Sequence, residues 1–223
     1  MFNLPYDFSA IPKYFPTFYE AAWLTLQLTT LGILVGLILG LIVALMRISK
    51  LKILNKPAQL YIWMIRGTPL LLQLWIIYYG FASIVNIPGL PSAVIALGIH
   101  NGAYIAEIFR GSIQSIDRGQ TEAALSLGMT PWQAMKRVIL PQAFKRSVPP
   151  LGNQFIIALK DSSLASTVAV RELLLRSRQI GSSQYLLMEM LIIAAVYYLI
   201  MTSVLTIIVS SIERRLQVSD YRG

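Results

Sequence analysis

The sequence contains no cysteine and a single histidine, His100. The absence of cysteine excludes disulfide bonds and thiol chemistry, and it removes the usual clue to the redox compartment. One histidine without clustered carboxylates offers few candidates for a metal centre or for general acid–base catalysis, so we predict no metal site and no catalytic residue. The chain also lacks a Gly-x4-Gly-Lys-Ser/Thr segment, so it cannot hold the phosphates of ATP in a loop of that kind.

Charged residues are scarce as well, since they make up 13% of the 223 residues, against about 25% in a typical soluble domain. Three long runs contain no Asp, Glu, Lys or Arg, namely 21–46, 67–106 and 190–212. A membrane span needs roughly 20 apolar residues, so each run is long enough. Three buried core helices of this length are a poor alternative in so short a chain. The first run is too long for the hydrophobic region of a signal peptide, and we interpret it as a retained span.

The predicted fold class is therefore an all-α membrane protein, whose spans are placed from turn signals and charges. Asn86-Ile-Pro-Gly-Leu-Pro91 is a strong turn signal that divides the middle run. Residues 1–20, rich in proline and aromatic residues, are predicted to lie against the outer leaflet. The chain 1–223 is predicted to form one transmembrane domain with a polar connector at 171–187. The predicted spans, about five in number, are approximately 21–46, 58–82, 92–110, 148–170 and 188–212.

Basic residues are distributed unevenly between the two sides of the predicted membrane. Twelve lie in two loops and the C-terminal tail, and four lie in segments on the other side. The positive-inside rule therefore predicts that the N-terminus is outside and the C-terminus is cytoplasmic. Basic loops also explain the net charge of +9, so we expect a lipid bilayer and no nucleic acid as partner. The twelve are Arg47, Lys50, Lys52, Lys56, Arg118, Lys136, Arg137, Lys145, Arg146, Arg214, Arg215 and Arg222; the four are Lys13, Arg171, Arg176 and Arg178.

The cytoplasmic loop 111–147 is the most informative part of the chain. Residues 122–127 favour a helix, and Gly128 is a natural stop after it. Thr130-Pro-Trp-Gln133 has the composition of a capping box with proline at the first helical position, so a second short helix is predicted up to about Leu140, where Pro141 ends or kinks it. The pair has an apolar face that would fit a groove on a partner. This face consists of Ala123, Ala124, Leu127, Val138 and Ile139.

The order of residues in this loop resembles the EAA loop of bacterial ABC import permeases. The matching positions are Glu122, Ala123, Ala124, Gly128, Val138, Leu140 and Pro141, and Val138 replaces the more common Ile. Similarity to the polar amino-acid branch of these permeases extends over about residues 20–216. It is carried by Arg66-Gly-Thr-Pro-Leu-Leu-Leu-Gln73, Asn101-Gly-Ala-Tyr-Ile-Ala-Glu107, Ser115-Ile-Asp-Arg-Gly-Gln120 and Leu159-Lys-Asp-Ser-Ser-Leu164.

The resemblance implies a multi-pass permease subunit in the bacterial cytoplasmic membrane, which imports a polar amino acid. It implies a second permease subunit, two ATPase subunits that carry ATP and Mg, and an extracytoplasmic binding protein that delivers the substrate. No cofactor is expected in this chain itself. The loop is expected to dock in a cleft on the ATPase and to transmit its closure. The implied coupling residues are Glu122, Ala123, Ala124, Gly128, Leu140 and Pro141.

Three other classes of protein are weaker interpretations. An ion channel needs a filter of charged side chains or carbonyl groups, and no segment here resembles one. A secondary transporter usually has internal repeats and more spans, and the two halves of this chain are not repeats. A membrane enzyme has few candidate catalytic groups here.

Charged and small residues inside the predicted spans need an explanation. Glu107 and Arg110 are spaced for a local ion pair at the cytoplasmic end of their span. Arg66 precedes a predicted kink, and it either holds the fold together or lines the transport path. Three glycines at spacing four in the first span favour close approach of another helix. They are Gly32, Gly36 and Gly40.

Lys160 and Asp161 fall near the middle of the predicted fourth span and are the main candidates for substrate contact. An amino acid brings an ammonium, which Asp161 could bind, and a carboxylate, which Lys160 or a backbone amine could bind. The alternative is that both charges pair with neighbouring helices and support the bundle. The remaining candidates for the substrate path are Ser162, Asn153, Gln154, His100 and Asn101.

Three arginines are unusual on the predicted outer side: Arg171, Arg176 and Arg178. We hypothesise that they meet an acidic surface of the binding protein, because opposite charges steer docking. The alternatives are lipid headgroups or Glu172. The sequence leaves open which amino acid is carried and whether the two permease subunits are identical.

Overall fold

The computed structural model describes residues 6–217, which are helical with no strand among them. Three short helical turns, Phe8–Ala10, Ile11–Tyr14 and Phe15–Phe18, lead into the first long helix. The helices that follow are α1 (Tyr19–Ile48), α2 (Lys52–Arg66), α3 (Leu70–Trp75), α4 (Gly89–Gln114), α5 (Arg118–Ser126), α6 (Pro131–Ala134), α7 (Leu140–Asp161), α8 (Leu173–Gln184) and α9 (Leu187–Gln217).

Two of the junctions between these helices are wider, π-helical turns, Ile76–Gly80 after α3 and Met135–Ile139 between α6 and α7. A 3₁₀ segment, Ser162–Val168, follows α7. The all-α fold class is confirmed.

Helices α1 and α4 pack along most of their length and form the centre of the molecule. The predicted glycine stripe makes this possible, because a β-carbon on Gly40 would lie 2.6 Å from Cγ2 of Ile105. Glycine is also needed on α4, because a β-carbon on Gly98 would clash with Cγ1 of Val35 of α1. The two backbones therefore approach as closely as small residues allow.

Three helices of the described part are long and apolar enough to cross a membrane: Phe8–Ile48, Gly89–Gln114 and Leu187–Leu216. The pair Lys52–Arg66 and Leu70–Gly80 adds a fourth if it is one span, and it is bent by 103°. The three helices fall on the predicted spans 21–46, 92–110 and 188–212, and the bent pair falls on the predicted span 58–82. The predicted span 148–170 falls on α7 and the 3₁₀ segment after it, which do not meet the same criteria, so that span stays a prediction.

One local prediction was wrong. The second short helix does not end at Pro141; after the π-helical turn the chain continues as α7 to Asp161. Pro141 is the second residue of α7 and follows directly on the π-helical turn. The predicted connector 171–187 contains the regular helix α8, which Glu172 caps with its side chain.

Candidate functional site

The loop between α4 and α7 folds as the sequence predicts at its turn. Helix α5 ends at Ser126, and Gly128 has a positive φ of 81°. Thr130 and Gln133 form a reciprocal capping box: Gln133 N–H donates to Thr130 Oγ1 over 3.3 Å, and Thr130 N–H donates to Gln133 Oε1 over 2.9 Å. An unpredicted cap lies at the other end of α5, where the Asp117 side chain accepts from Gly119 N–H. The predicted helix–turn–helix unit is confirmed.

The predicted apolar face of this unit divides into a buried and an exposed part. Ala124 and Ile139 are buried against the rest of the loop, while Ala123 is exposed and Leu127 is 81% exposed. Trp132 is 69% exposed as well, and it was missed as a candidate. Glu122 is also exposed. The exposed surface of the loop is therefore formed by α5, through Glu122, Ala123 and Leu127 at its end, and by Trp132 at the start of α6.

Two contacts attach the loop to the membrane helices. The Arg146 side chain, on α7, donates to the backbone oxygen and the hydroxyl oxygen of Ser115, at the end of α4. The Gln142 side chain reaches Gln120 of α5 over 3.3 Å. A small cluster of Ile116, Ile139 and other apolar side chains fills the space beneath. These contacts join the loop to the ends of both α4 and α7.

Inside the helical bundle, several of the predicted path residues are already occupied by protein partners. Asn101 is completely buried, and its Oδ1 accepts from Gln154 Nε2 over 2.8 Å. Asn101 Nδ2 donates to the backbone oxygen of Leu97. Ser162 is buried and donates to the backbone oxygen of Leu159. These side chains therefore link or terminate helices.

His100 is held in a polar cluster near the bend between α2 and α3. Its Nδ1 lies 3.1 Å from Gln73 Oε1, and its ring lies 5.1 Å from that of Tyr104. Gln73 is not among the predicted candidates, and its contact with His100 joins residues 27 positions apart. A cavity of about 580 Å³, lined largely by apolar side chains and by Gln73 and Thr68, lies in the same bend.

The predicted Glu107–Arg110 ion pair is present and bidentate, with N–O distances of 2.9 and 2.6 Å. Arg66 lies at the break as predicted, with a nitrogen 4.0 Å from Glu107 and its guanidinium 5.1 Å from the ring centre of Tyr104. These contacts favour the role of Arg66 in holding the bend.

Lys160 and Asp161 end α7, at the point where the helix tightens into the 3₁₀ segment. Lys160 is exposed, and Asp161 is half-buried. Over residues 6–217, neither side chain has a hydrogen bond or an ion pair with another residue. Two opposite charges are thus adjacent at the end of α7. Asn153, about two turns earlier in α7, is exposed.

On the predicted outer side, Arg171 and Arg178 are exposed, and Arg176 is half-buried. The alternative that Glu172 pairs with these arginines is not what the structure contains. Glu172 is completely buried, and its carboxylate accepts from the backbone N–H groups of residues 174 and 175 and from the Tyr198 hydroxyl, each over 2.8 Å.

Comparison with known proteins identifies the family of this chain. Residues 32–218 match the family model of the binding-protein-dependent transport system inner membrane component. The chain is 39% identical over 218 residues to the glutamine transport system permease protein GlnP of Escherichia coli (strain K12), covering 96% of this chain and 100% of the relative. It is 43% identical over 208 residues to the L-cystine transport system permease protein TcyB of Bacillus subtilis (strain 168), covering 92% and 88%.

A solved structure supports the fold. The crystal structure of an amino acid ABC transporter with histidines contains a chain that superimposes with a TM-score of 0.91 at 44% identity. The match covers 95% of this chain and 100% of that chain. The resemblance inferred from the loop is therefore confirmed over nearly the whole length. This chain belongs to the family of binding-protein-dependent transport system inner membrane components, and it is a permease subunit of an ABC transporter.

Proposed function

We propose that this permease imports a polar amino acid, with two ATPase subunits on the cytoplasmic side and a binding protein on the other. The single observation that carries the substrate class is the free pair Lys160 and Asp161, a cation beside an anion at the end of α7. A zwitterionic amino acid presents the complementary pair of charges, and charge-assisted hydrogen bonds to it are strong. The glutamine and cystine permeases among the relatives support the same class.

In this proposal Asp161 binds the substrate ammonium and Lys160 binds the carboxylate. Asn153 is a further, exposed contact candidate. Asn101, Gln154 and Ser162 support the bundle, because their polar groups already have partners. The channel and secondary-transporter alternatives are not favoured, since neither accounts for membership of a binding-protein-dependent family.

The test is transport by the whole complex. The permease is co-expressed with its partner ATPase and binding protein, and the complex is purified and reconstituted into proteoliposomes. Uptake of radiolabelled L-glutamine, L-arginine and L-cystine is then measured with and without ATP. We expect ATP-dependent uptake of at least one of them, and its loss in Asp161→Asn with assembly preserved. Loss of assembly in Asp161→Asn would instead support a structural role for the carboxylate.

The proposed orientation places the N-terminus outside and the loop 111–147 inside, which follows from the basic residues. Because the chain has no cysteine, single cysteines report the topology directly. Cysteine at Ser9 or Ser83 should react with an impermeant thiol reagent in intact cells, and cysteine at Ser126 should react only after lysis. Labelling at Ser126 in intact cells would reverse the proposed orientation.

A further inference from the structure

The break between α2 and α3 leaves backbone oxygens that need hydrogen-bond donors. Irregular backbone is costly in a bilayer unless the protein itself satisfies these groups. Here one side chain does so: Gln73 Nε2 lies 2.9 Å from the backbone oxygen of Ile65, 3.1 Å from that of Thr68, and 2.9 Å from Thr68 Oγ1. The side-chain amide of Gln73, in the first turn of α3, therefore supplies hydrogen bonds to both sides of the 103° bend.

The orientation of this amide determines the proton position on His100. Because Gln73 Nε2 faces three oxygen acceptors, Oε1 must face His100, and an amide oxygen only accepts hydrogen bonds. His100 Nδ1, at 3.1 Å, is therefore the donor. The ring thus holds the amide in the orientation that closes the bend, and the other nitrogen, Nε2, takes no part in this contact.

The helix beyond the break forms one wall of the segment that carries Asp161. Leu70 and Leu74 of α3 are buried and pack in one cluster with Ala165 of the 3₁₀ segment. Both leucines also share a small cavity, about 10 Å³, with Asp161 and Leu164. The direction in which α3 leaves the bend therefore determines the space available beside Asp161.

We propose that Gln73 and His100 are positioning residues, which fix α3 against the segment 160–165 and so set the geometry of the substrate contact at Asp161. His100 acts through Gln73 and does not touch the transported amino acid. The part that concerns substrate rests on the proposed function of Lys160 and Asp161; the part that concerns the bend rests on the hydrogen bonds alone.

Conservative variants of His100 distinguish this role from direct contact. Asparagine places its amide nitrogen close to the position of Nδ1, and glutamine reaches the position of Nε2. We expect His100→Asn to transport within about twofold of the unmodified complex, because the donor to Gln73 is kept. His100→Gln and His100→Phe should each lower uptake about tenfold or more, since Gln73 Oε1 loses a buried partner. The reverse order, with glutamine active and asparagine inactive, would overturn the proposal in favour of direct contact.

A double-mutant cycle tests whether the two residues act as one unit. If His100 acts through Gln73, uptake by Gln73→Leu/His100→Phe should be no lower than that of the more damaging single variant. Multiplicative losses in the double variant would mean that the two side chains act separately, and the proposal would fail. Uptake is measured with the radiolabelled amino acid that the unmodified complex imports.

The bend itself is tested without substrate, by hydrogen exchange of the assembled complex read by mass spectrometry. Peptides covering 66–80 should exchange faster in Gln73→Leu and His100→Phe, and at the normal rate in His100→Asn; peptides covering 30–45 are the internal control. If Gln73→Leu does not assemble, His100→Phe keeps the Gln73 side chain and tests whether the ring holds its amide against the bend. Unchanged exchange at 66–80 in both variants would overturn the proposal, whereas normal uptake by Asp161→Asn would overturn only the proposed substrate site.

Discussion

The loop 111–147 and the α1–α4 contact both depend on glycine, but for opposite reasons. A β-carbon on Gly128 would meet no atom within 4 Å, yet its φ of 81° lies in the left-handed region that L side chains rarely adopt. Gly40 has an ordinary helical backbone, yet a β-carbon there would lie 2.6 Å from Ile105 Cγ2 and 3.0 Å from the backbone oxygen of Gly102. The loop therefore needs glycine for conformation, and the core needs it for space.

This difference separates signals that a sequence carries from those it does not. The conformation of the loop is fixed by neighbours in the chain, because a helix stop and a capping box act within a few residues. The close contact of α1 with α4 depends on residues about 60 positions apart, so the spacing of the glycines predicts a close approach without naming the helix that approaches. Mutations of the loop glycine should accordingly change coupling, and mutations of the glycines between α1 and α4 should change stability.

The largest effect is expected at the core. Gly40→Ala should destabilise the protein by about 1–3 kcal/mol through overpacking, because Ile105 and the α4 backbone must shift. Gly111→Ala is the matched control, since its β-carbon would meet nothing within 4 Å and its φ is not positive. Thermal aggregation of the complex in detergent should occur at lower temperature for Gly40→Ala only. Equal behaviour of the two variants would show that the α1–α4 contact is not tight.

The next effect is expected in the loop. Gly128→Val should leave the protein inserted and abundant but uncoupled, because a β-branched residue is strained at a φ of 81° and tilts α5 relative to α6. Uptake should fall, and ATP hydrolysis should lose its dependence on substrate and binding protein. Gly128→Asn is the control, because asparagine tolerates the left-handed region. Normal transport by Gly128→Val at normal expression would defeat the coupling role of this turn.

The sequence predicted the fold class, the positions of the three long apolar helices and the turn of the loop, because each depends on composition or on adjacent residues. It could not predict that α7 continues through Pro141, since the preceding π-helical turn is a property of the packed structure. Nor could it predict helix α8, whose cap is the buried Glu172 held by Tyr198 of α9. Glutamate is not among the preferred capping residues, so no local signal marks this helix start.

The candidate substrate site was predicted only in part, for a similar reason. Lys160 and Asp161 are recognisable because charges are rare in apolar spans. Gln73 is an uncharged residue in an apolar run, and its importance appears only when Ile65, Thr68 and His100 are brought around it. Hydrogen bonds between distant segments leave no periodic pattern in the chain.

A smaller effect is expected on the predicted outer face, where the arginines are proposed to act through charge alone. Arg171→Glu/Arg178→Glu should weaken stimulation of ATP hydrolysis by the binding protein, because both side chains are exposed and available to an acidic partner. Arg171→Lys/Arg178→Lys keeps the charge and should retain most of the stimulation. The stimulation should fall with added salt in the lysine variant and change little in the glutamate variant. Unchanged stimulation by the glutamate variant across the salt series would exclude these arginines as a docking site.

The smallest effect is expected at Thr130, the cap beside Gly128. This variant tests whether the cap or the glycine sets the angle between α5 and α6. Thr130→Ala removes the oxygen that accepts from Gln133 N–H, and the loss of such a cap costs about 1 kcal/mol. The positive φ at Gly128 and the backbone hydrogen bond from Gly128 N–H to the oxygen of Leu125 remain, so α5 should keep its angle to α6. Hydrogen exchange at residues 130–136 should therefore increase while uptake changes by less than about twofold. Thr130→Ser keeps an acceptor and should restore the slow exchange. Uncoupling by Thr130→Ala as complete as that of Gly128→Val would mean that the start of α6, and not the glycine turn, sets the pose in which the ATPase docks.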